Sequence, residues 1–182
     1  MAVLIASDIH GSALYCEQLL DLMKKEKIGD LILLGDILYH GPRNDLPEGY
    51  APKKVVAMLN PLKDHILCIQ GNCDAEVDQM VLDFPIIGGF QIKNFYGRRL
   101  FLTHGHHYNI EEKPDKDLLD GADYVIYGHT HIPLKRQTDG IWYLNPGSVS
   151  IPKEGSQRGC IKMTENEIQW LDLDGNVLDR ME

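Results

Sequence analysis

The chain has 182 residues, of which 43% are hydrophobic and 25% are charged. This composition is typical of soluble globular proteins and excludes disordered, collagen-like and coiled-coil chains. The length predicts a single domain over residues 1–182 that buries enough surface to fold without disulfides. The 27 acidic and 18 basic residues give a net charge of −9, which argues against a partner held through a broad basic face, such as a nucleic acid.

Two further features predict where the protein works. No apolar run approaches the roughly 20 residues that cross a bilayer, and no basic region precedes the apolar N-terminus as it does in a signal peptide. The cysteines have no CxxC spacing and are interpreted as free thiols. We therefore expect a cytoplasmic protein that does not bind membranes. The four cysteines are Cys16, Cys68, Cys73 and Cys160.

The first 70 residues alternate between strand and helix patterns. Short apolar runs typical of buried strands alternate with segments of helical periodicity. We expect Gly29 to end the first helix and Pro52 to lie in the first turn of the second. This alternation predicts a mainly parallel sheet with right-handed crossovers. The expected elements are residues 3–6, 11–27, 31–34, 51–59 and 65–69.

Paired strands are predicted beyond residue 90. Tyr96-Gly97 and Asp139-Gly140 are turn signals, and each lies between two strand-like segments. The loop over residues 38–50 is long for a compact domain, which is typical of functional loops. The whole pattern predicts an α/β domain with two layers of sheet and helices outside. The expected strands are residues 90–94, 98–103, 123–127, 134–137, 141–144, 159–164 and 167–172.

Polar residues that can bind metals follow five of the expected strands, each beside a glycine. Because ligands bind at the carboxyl ends of strands in α/β sheets, we expect these clusters to converge on one point. Asp8 and His10 are two residues apart, so an extended segment would point both side chains the same way. His129 and His131 have the same spacing. The full set is Asp8, His10, Asp36, Asn72, His104, His129 and His131.

This set offers oxygen and nitrogen donors without thiolate, which suits divalent ions such as Mn, Fe, Zn, Co or Ni. Seven ligands are too many for one tetrahedral site and suit two ions that share a carboxylate. Asp36 is the natural bridge between them. Two divalent ions would also place positive charge in one cleft, so the acidic net charge does not exclude an anionic substrate.

Simpler roles exist for several of these residues. A single histidine is more often a surface or core residue than a ligand, and we assign that role to His40, His65 and His107. Asp8 and Asp36 are also suitable helix caps, although capping leaves the histidines unexplained. A purely structural metal site is a further alternative, but such sites are normally closed and rich in cysteine.

The order D-x-H, G-D, G-N-x-D, G-H and G-H-x-H resembles the motif order of the calcineurin-like metallophosphoesterases. It runs here from Asp8 to His131, and Asn145-Pro146-Gly147-Ser148 extends it. With the small size of the chain and Gly41-Pro42-Arg43-Asn44, the pattern is most similar to small bacterial phosphodiesterases of that family. The resemblance implies a four-layer α-β-β-α sandwich, with two mixed sheets flanked by helices, and a dinuclear site that is commonly activated by manganese.

The resemblance also implies how the ligands and the reaction are arranged. The first ion would take Asp8, His10, Asp36 and His131, and the second Asp36, Asn72, His104 and His129. The implied activity is hydrolysis of small phosphodiesters by a two-metal, bridging-hydroxide mechanism, in which Asn72 helps to neutralise charge on the phosphate.

Other residues near these motifs have less definite roles. Arg43, on the long loop, is a candidate phosphate contact, with a surface salt bridge as the alternative. His106 is expected either to touch the substrate or to support a ligand. Asp74 is expected either to hold its loop or to contact a ligand.

One position departs from the family pattern. The family usually has a histidine between the Asn and the Asp of G-N-x-D, where it is thought to protonate the leaving group, and this chain has Cys73. A thiol with a pKa of about 8.5 is a poor substitute for an imidazolium, so we expect weak protonation of the leaving group. We interpret Cys73 as a small buried residue, with a redox role as the alternative.

Competing functions are a phosphomonoesterase or protein phosphatase, a nuclease, and a metal-binding scaffold. Scaffold members of the superfamily, such as the retromer subunit, tend to lose metal ligands, whereas all seven positions are filled here. The short chain leaves little beyond the core for a protein-substrate groove, and its acidic balance disfavours a nuclease. We expect a small phosphoester as the partner. Apolar strand edges in the C-terminal half also suit a homo-oligomer.

Overall fold

The structure is a computed structural model that describes residues 2–182. Its helices are α1 (Ala13–Lys25), α2 (Pro52–Leu59) and the single-turn α3 (Lys116–Leu119), with 3₁₀ turns at Asn60–His65 and Asp78–Met80. Its strands are β1 (Ala2–Ala6), β2 (Asp30–Leu33), β3 (Ile66–Ile69), β4 (Ile86–Ile87), β5 (Phe90–Phe95), β6 (Arg98–Thr103), β7 (Tyr124–Ile126), β8 (Leu134–Thr138), β9 (Ile141–Asn145), β10 (Gly159–Thr164), β11 (Ile168–Asp172) and β12 (Val177–Met181).

The strands form two mixed sheets. The first has seven strands in the order β12-β11-β10-β1-β2-β3-β4, and its half from β1 to β4 is parallel, as the alternating pattern predicts. The second has five strands in the order β5-β6-β7-β9-β8, with β6, β7 and β9 parallel. The carboxyl ends of β1, β2 and β3 are therefore adjacent in one sheet, and those of β6 and β7 are adjacent in the other.

An apolar layer joins the two sheets. It contains Val3, Ile5 and Ile32 from the first sheet and Leu102 and Ile126 from the second, all nearly fully buried. Burial of this apolar surface is the main force that holds the sheets face to face. The facing sheets confirm the predicted pair of layers, and they bring the strand ends of both sheets to one side of the molecule.

Helices cover the outer faces unevenly. Helices α1 and α2 pack on the first sheet through residues such as Leu19, Leu22 and Val55. On the second sheet, Phe101 and Tyr143 are covered by Leu119 of α3 and by the loop that precedes α3. The fourth layer of the sandwich is therefore one helical turn and a loop. Among residues 2–182, no helix is long and apolar enough to cross a membrane.

The ends of α1 show where the sequence prediction was right and where it was wrong. Ser12 caps the helix by accepting a hydrogen bond from the Tyr15 amide at 3.3 Å. Gly29 was expected to end it, but Lys27 makes the left-handed turn with φ of 54°. The amide of Ile28 then donates to the Met23 carbonyl at 2.9 Å, which closes the helix two residues before the glycine.

Both predicted hairpin turns are present. Tyr96 and Gly97 have φ of 51° and 78°, and Asp139 and Gly140 have φ of 53° and 82°. Two successive positive φ angles are the signature of the type I′ turn, whose twist matches that of the flanking strands. The turns fix the registers of the β5–β6 and β8–β9 pairs. The register of β6 in turn determines where that strand ends and the following loop begins.

Candidate metal centre

All seven predicted ligands lie together, one to five residues beyond the ends of five strands. Asp8 and His10 follow β1, Asp36 follows β2 and Asn72 follows β3. From the second sheet, His104 follows β6, and β7 precedes the pair His129 and His131. Backbone hydrogen bonds join neighbouring loops, for example from the His10 amide to the Asp36 carbonyl at 2.9 Å. The two sheets thus supply donors to one site.

Five of these seven residues have a left-handed backbone. This conformation is uncommon outside glycine and costs of order 1 kcal/mol or more at each residue. The expectation of extended segments at residues 8–10 and 129–131 was therefore wrong, although the side chains of Asp8 and His10 still converge on one another. The φ angles are 61° at Asp8, 49° at His10, 56° at Asp36, 65° at His129 and 62° at His131.

Two glycines allow the loops to approach closely. A Cβ on Gly71 would overlap the carboxylate of Asp36, and one on Gly128 would overlap the hydroxyl of Ser7 and crowd Asp8. Both glycines lie beside predicted ligands, so their lack of a side chain is what lets the strand ends of the site close on each other.

Asp8, His10 and His131 form the first donor group. Asp8 Oδ1 lies 3.5 Å from His10 Nε2 and 3.2 Å from His131 Nε2, and the two Nε2 atoms are 3.3 Å apart. Each ring donates its Nδ1 proton to a backbone carbonyl, His10 to Tyr39 and His131 to Ile151, both at 2.7 Å. The Nε2 atoms are then unprotonated in the neutral rings, so two lone pairs face each other.

The second donor group surrounds His104. Its Nδ1 donates to the Leu34 carbonyl at 2.7 Å, which leaves Nε2 as a donor to metal. That Nε2 lies 3.4 Å from Asp36 Oδ2, 3.1 Å from Asn72 Oδ1 and 3.3 Å from His129 Nδ1. Asp36 Oδ2 is also 3.6 Å from His10 Nε2. A single carboxylate oxygen therefore lies between the two groups.

The donor geometry fits divalent metal ions. Atoms bound at about 2.0–2.2 Å to one ion lie about 3.0–3.5 Å from one another, which is close to the distances seen here. Asp8 Oδ1 is buried and has no hydrogen-bond partner among the described residues. A buried polar atom without a partner is costly, and a cation beside it would remove that cost.

Charges within the site perturb its titratable groups. Burial acts to lower the pKa of His104, but Asp36 and Asp8 outweigh burial and raise that pKa to about 9. Burial raises the pKa of Asp8, but His10 and His131 reverse this and hold it well below its usual range. His104 thus attracts positive charge, in the form of a proton when metal is absent.

Asp74 holds the loop that carries Asn72. Its Oδ2 accepts hydrogen bonds from the amides of Asp36 and Gly71, both at 2.7 Å, and its Oδ1 accepts from Ile37 at 2.8 Å. The residue is 6% exposed. Of the two predicted roles, these contacts favour loop positioning, because both carboxylate oxygens are engaged and turned away from solvent.

Cys73 is half-buried and lines the cleft above the donors, so the interpretation of a small buried residue was wrong. Its thiol accepts from Asn72 Nδ2 at 3.3 Å, and its backbone amide donates to Asp36 Oδ1 at 2.8 Å. Burial and the neighbouring carboxylates, chiefly Asp36, raise the pKa of the thiol to about 12. The side chain is therefore a neutral group beside the reaction site.

The end of β9 and the loop after it support the turns that carry the ligands. Ser148 and Ser150 both donate their hydroxyl protons to the Asp8 carbonyl, at 2.9 and 3.0 Å. Asn145 Nδ2 donates to the Gly128 carbonyl at 2.7 Å. These bonds tie the turns of both sheets together, which gives the Asn-Pro-Gly-Ser segment a physical role.

A cleft of about 400 Å³ opens over the donors. Arg43, on the long loop, lines it and forms no ion pair among the described residues. Lys153 also lines the cleft and had no signal in the sequence. The ring centre of His106 lies 5.3 Å from that of His104, and His106 is not among the residues that line the cleft.

The fold and the site together indicate the class of this protein. Two facing sheets carry histidine and carboxylate donors at the ends of their strands. The chain belongs to the calcineurin-like phosphoesterase superfamily, whose domain model matches residues 1–167. The family is one of phosphoesterases, and the donor groups described above could hold a divalent metal ion.

The relatives narrow this class. The chain is 49% identical to phosphodiesterase YfcE of Escherichia coli K12, over 92% of this chain and 89% of that protein. The solved structure of the E. coli YfcE phosphoesterase superposes with a TM-score of 0.91 and 42% identity, covering 100% of this chain and 98% of the other. Vps29 of Entamoeba histolytica, solved with zinc, superposes at a TM-score of 0.61 and 19% identity over 100% and 98%, which shows a shared fold alone.

Proposed function

We propose that the protein is a metal-dependent phosphodiesterase that hydrolyses small phosphodiesters. The observation that carries this proposal is the position of Asp36 Oδ2 between His10 Nε2 and His104 Nε2, which suits a carboxylate shared by two ions. The similarity to an E. coli phosphodiesterase over most of both chains supports the choice of diesters.

We further propose two divalent ions, manganese being the first choice and Fe, Zn, Co or Ni the alternatives. Asp8, His10, Asp36 and His131 would hold one, and Asp36, Asn72, His104 and His129 the other. When bound, such ions lower the pKa of water and offset negative charge on phosphate oxygens. Nitrogen and oxygen donors without thiolate are the support for this choice of metals.

The remaining residues of the cleft act on the substrate itself. The Asn72 oxygen lies against His104, and one N–H of its NH₂ group donates to the Cys73 thiol. The second N–H of that group is available to donate to a phosphate oxygen. Arg43 presents a guanidinium fork without a carboxylate partner, which matches two oxygens of a phosphate. Because Cys73 is neutral and a weak acid, the leaving alcohol receives little help with its proton.

The test is hydrolysis by metal-stripped protein to which manganese is returned. We expect turnover of bis(4-nitrophenyl) phosphate that depends on manganese, and slower turnover of 4-nitrophenyl phosphate. Asp36→Asn removes the shared charge and should abolish turnover, while the exposed Asp64→Asn is the control and should leave it unchanged. Faster hydrolysis of the monoester would favour a phosphomonoesterase, and metal binding without any hydrolysis would favour a scaffold.

Location and assembly complete the proposal. The cysteines of the described residues are free, and three of the four are buried, which suits the reducing cytoplasm. Strand β12 is an edge strand with Val177 and Leu178 exposed, a surface on which a second copy can pair its own edge. Cell fractionation tests the first point, and sedimentation of the wild type against Leu178→Lys tests the second.

A further inference from the structure

Lys153 is fixed beside the metal ligands by its backbone. Its amide donates to the His131 carbonyl at 3.2 Å, and its own carbonyl accepts from the Ser156 hydroxyl at 2.7 Å. Two residues earlier, the Ile151 carbonyl accepts the Nδ1 proton of His131. The loop that carries Lys153 is thus bonded to both the backbone and the ring of one ligand, and Lys153 itself lines the cleft.

Lys153 and Arg43 are the two strongly basic side chains on this wall, and they come from two different loops. Neither forms an ion pair within residues 2–182, whereas Lys24, Lys113 and Lys162 each pair with a carboxylate. The carboxylate that lines the cleft is Asp36, which faces the histidines. The cleft therefore presents two cations without partners in a chain whose net charge is −9.

A count of charges shows that a simple diester leaves positive charge of the basic side chains without an anionic partner. The charges of Asp8 and Asp36 offset half of the four positive charges of two divalent ions. The single charge of a phosphodiester and that of the nucleophile offset the rest. With Arg43 at the phosphate oxygens, Lys153 remains as a positive charge in the cleft, where one more anionic group would find a partner.

We propose that Lys153 determines substrate specificity by binding a further anionic group, a carboxylate or a phosphate, carried by one of the alcohols of the diester. This inference rests on the proposed phosphodiesterase function and deepens it, because it names the substrate class as diesters with at least two negative charges. Arg43 remains with the phosphate at the metals, and Lys153 takes the additional charge.

Binding to the manganese-loaded protein tests this without turnover. Two slowly hydrolysed diesters, dimethyl phosphate and carboxymethyl methyl phosphate, differ by one carboxylate. By calorimetry, we expect the wild type to bind the carboxylated diester roughly tenfold more tightly, as one charge pair near a protein surface permits. Lys153→Gln should remove that preference and Lys153→Glu should reverse it. Lys63→Glu, an exposed lysine on the Asn60–His65 turn, makes the same change in net charge and should keep the preference.

Hydrolysis supplies an independent readout. Methyl and carboxymethyl 4-nitrophenyl phosphates share a leaving group, so Lys153→Gln should raise KM for the carboxylated ester much more than KM for the methyl ester. Equal binding of the two dialkyl diesters by the wild type would overturn the inference, as would equal effects of Lys153→Glu and Lys63→Glu. If bis(4-nitrophenyl) phosphate is hydrolysed with manganese in either case, the proposed function stands while the inference alone fails.

Discussion

Cys73 lines the cleft in which we propose that the substrate binds. Its thiol contacts Asn72 and has a pKa near 12, so it stays protonated without being a useful acid. Catalysis should then depend on how well the leaving group departs without a proton.

We predict that aryl diesters turn over much faster than dialkyl diesters, and that Cys73→His narrows this gap by roughly tenfold or more. The measurement is kcat for methyl 4-nitrophenyl phosphate against that for dimethyl phosphate in both proteins. Cys73→Ser, which keeps the size of the side chain, is the matched control and should leave the gap wide. Equal rates for the two esters in the wild type would contradict this account.

Asp74 acts through the groups that it holds and does not face the cleft. Asp74→Asn replaces one acceptor oxygen by an NH₂ group that confronts amide donors, so at least one of its three hydrogen bonds is lost. We predict destabilisation by about 1–3 kcal/mol. Metal affinity should also fall by about tenfold, since Asp36 loses its anchor. Thermal unfolding and metal titration measure the two effects, and Asp64→Asn should show neither.

At the scale of elements, the site depends on how closely the turns approach each other. Gly128 is held by hydrogen bonds on both sides, from its amide to His104 and from Asn145 to its carbonyl, so it has little room to shift. We predict that Gly128→Ala destabilises the protein by about 1–3 kcal/mol, because the new methyl group meets Ser7 and Asp8. Denaturant unfolding measures this cost. Gly29→Ala has open space around it and should cost almost nothing.

Strand ends were the part of the architecture that the sequence predicted well. Apolar runs followed by glycine and a polar residue identify β1, β2, β3, β6 and β7 together with the residues that meet beyond them. Two strands had no such signal. Strand β4 has two residues, and β12 is exposed over most of its length with Asp179 and Arg180 between its apolar residues, so neither shows an apolar period.

Some properties of the site arise from tertiary contacts alone. Lys153 lines the cleft because its loop is bonded to His131, and no spacing in the sequence connects these two residues. The same holds for Asp74, whose partners lie up to 38 residues away along the chain. The left-handed turn after α1 lies at Lys27 and not at the expected Gly29, because the hydrogen bonds of the last helical turn are already complete there.

For the molecule as a whole, one apolar layer joins the two sheets, and the site is built across that junction. We therefore predict that residues 1–182 unfold in a single transition, as one domain. Calorimetry checks this by comparing the measured enthalpy with the van't Hoff enthalpy. Two separable transitions would show that the sheets are independent units.

Metal removal should weaken this junction. An ion that binds the folded state alone, at 1,000 times its Kd, adds about 4 kcal/mol, which corresponds to a Tm shift of about 8 °C or more for a chain of this size. We predict such a loss of Tm on chelation, restored by manganese.

The effect should also depend on pH. The pKa of His104 in the metal-free fold is about 9, above its usual value of about 6.5. Protonated His104 therefore stabilises the metal-free protein fully below pH 6.5, and this contribution is lost as the pH rises through 9. Protons also compete with metal at low pH. The difference in Tm between the loaded and metal-free forms should widen from pH 6 to pH 9, and a constant difference would contradict it.

The left-handed backbone at five of the ligands has an evolutionary consequence. Glycine and asparagine adopt that conformation readily. Replacing an aspartate or histidine ligand by one of them would therefore disturb the rest of the fold little. A descendant that no longer needs the metal site could therefore replace these side chains one at a time, lose the strain in its turns and remain folded. Backbone strain at these residues therefore exerts no pressure to retain them, and their persistence in any lineage reflects selection for the bound metal and for its chemistry.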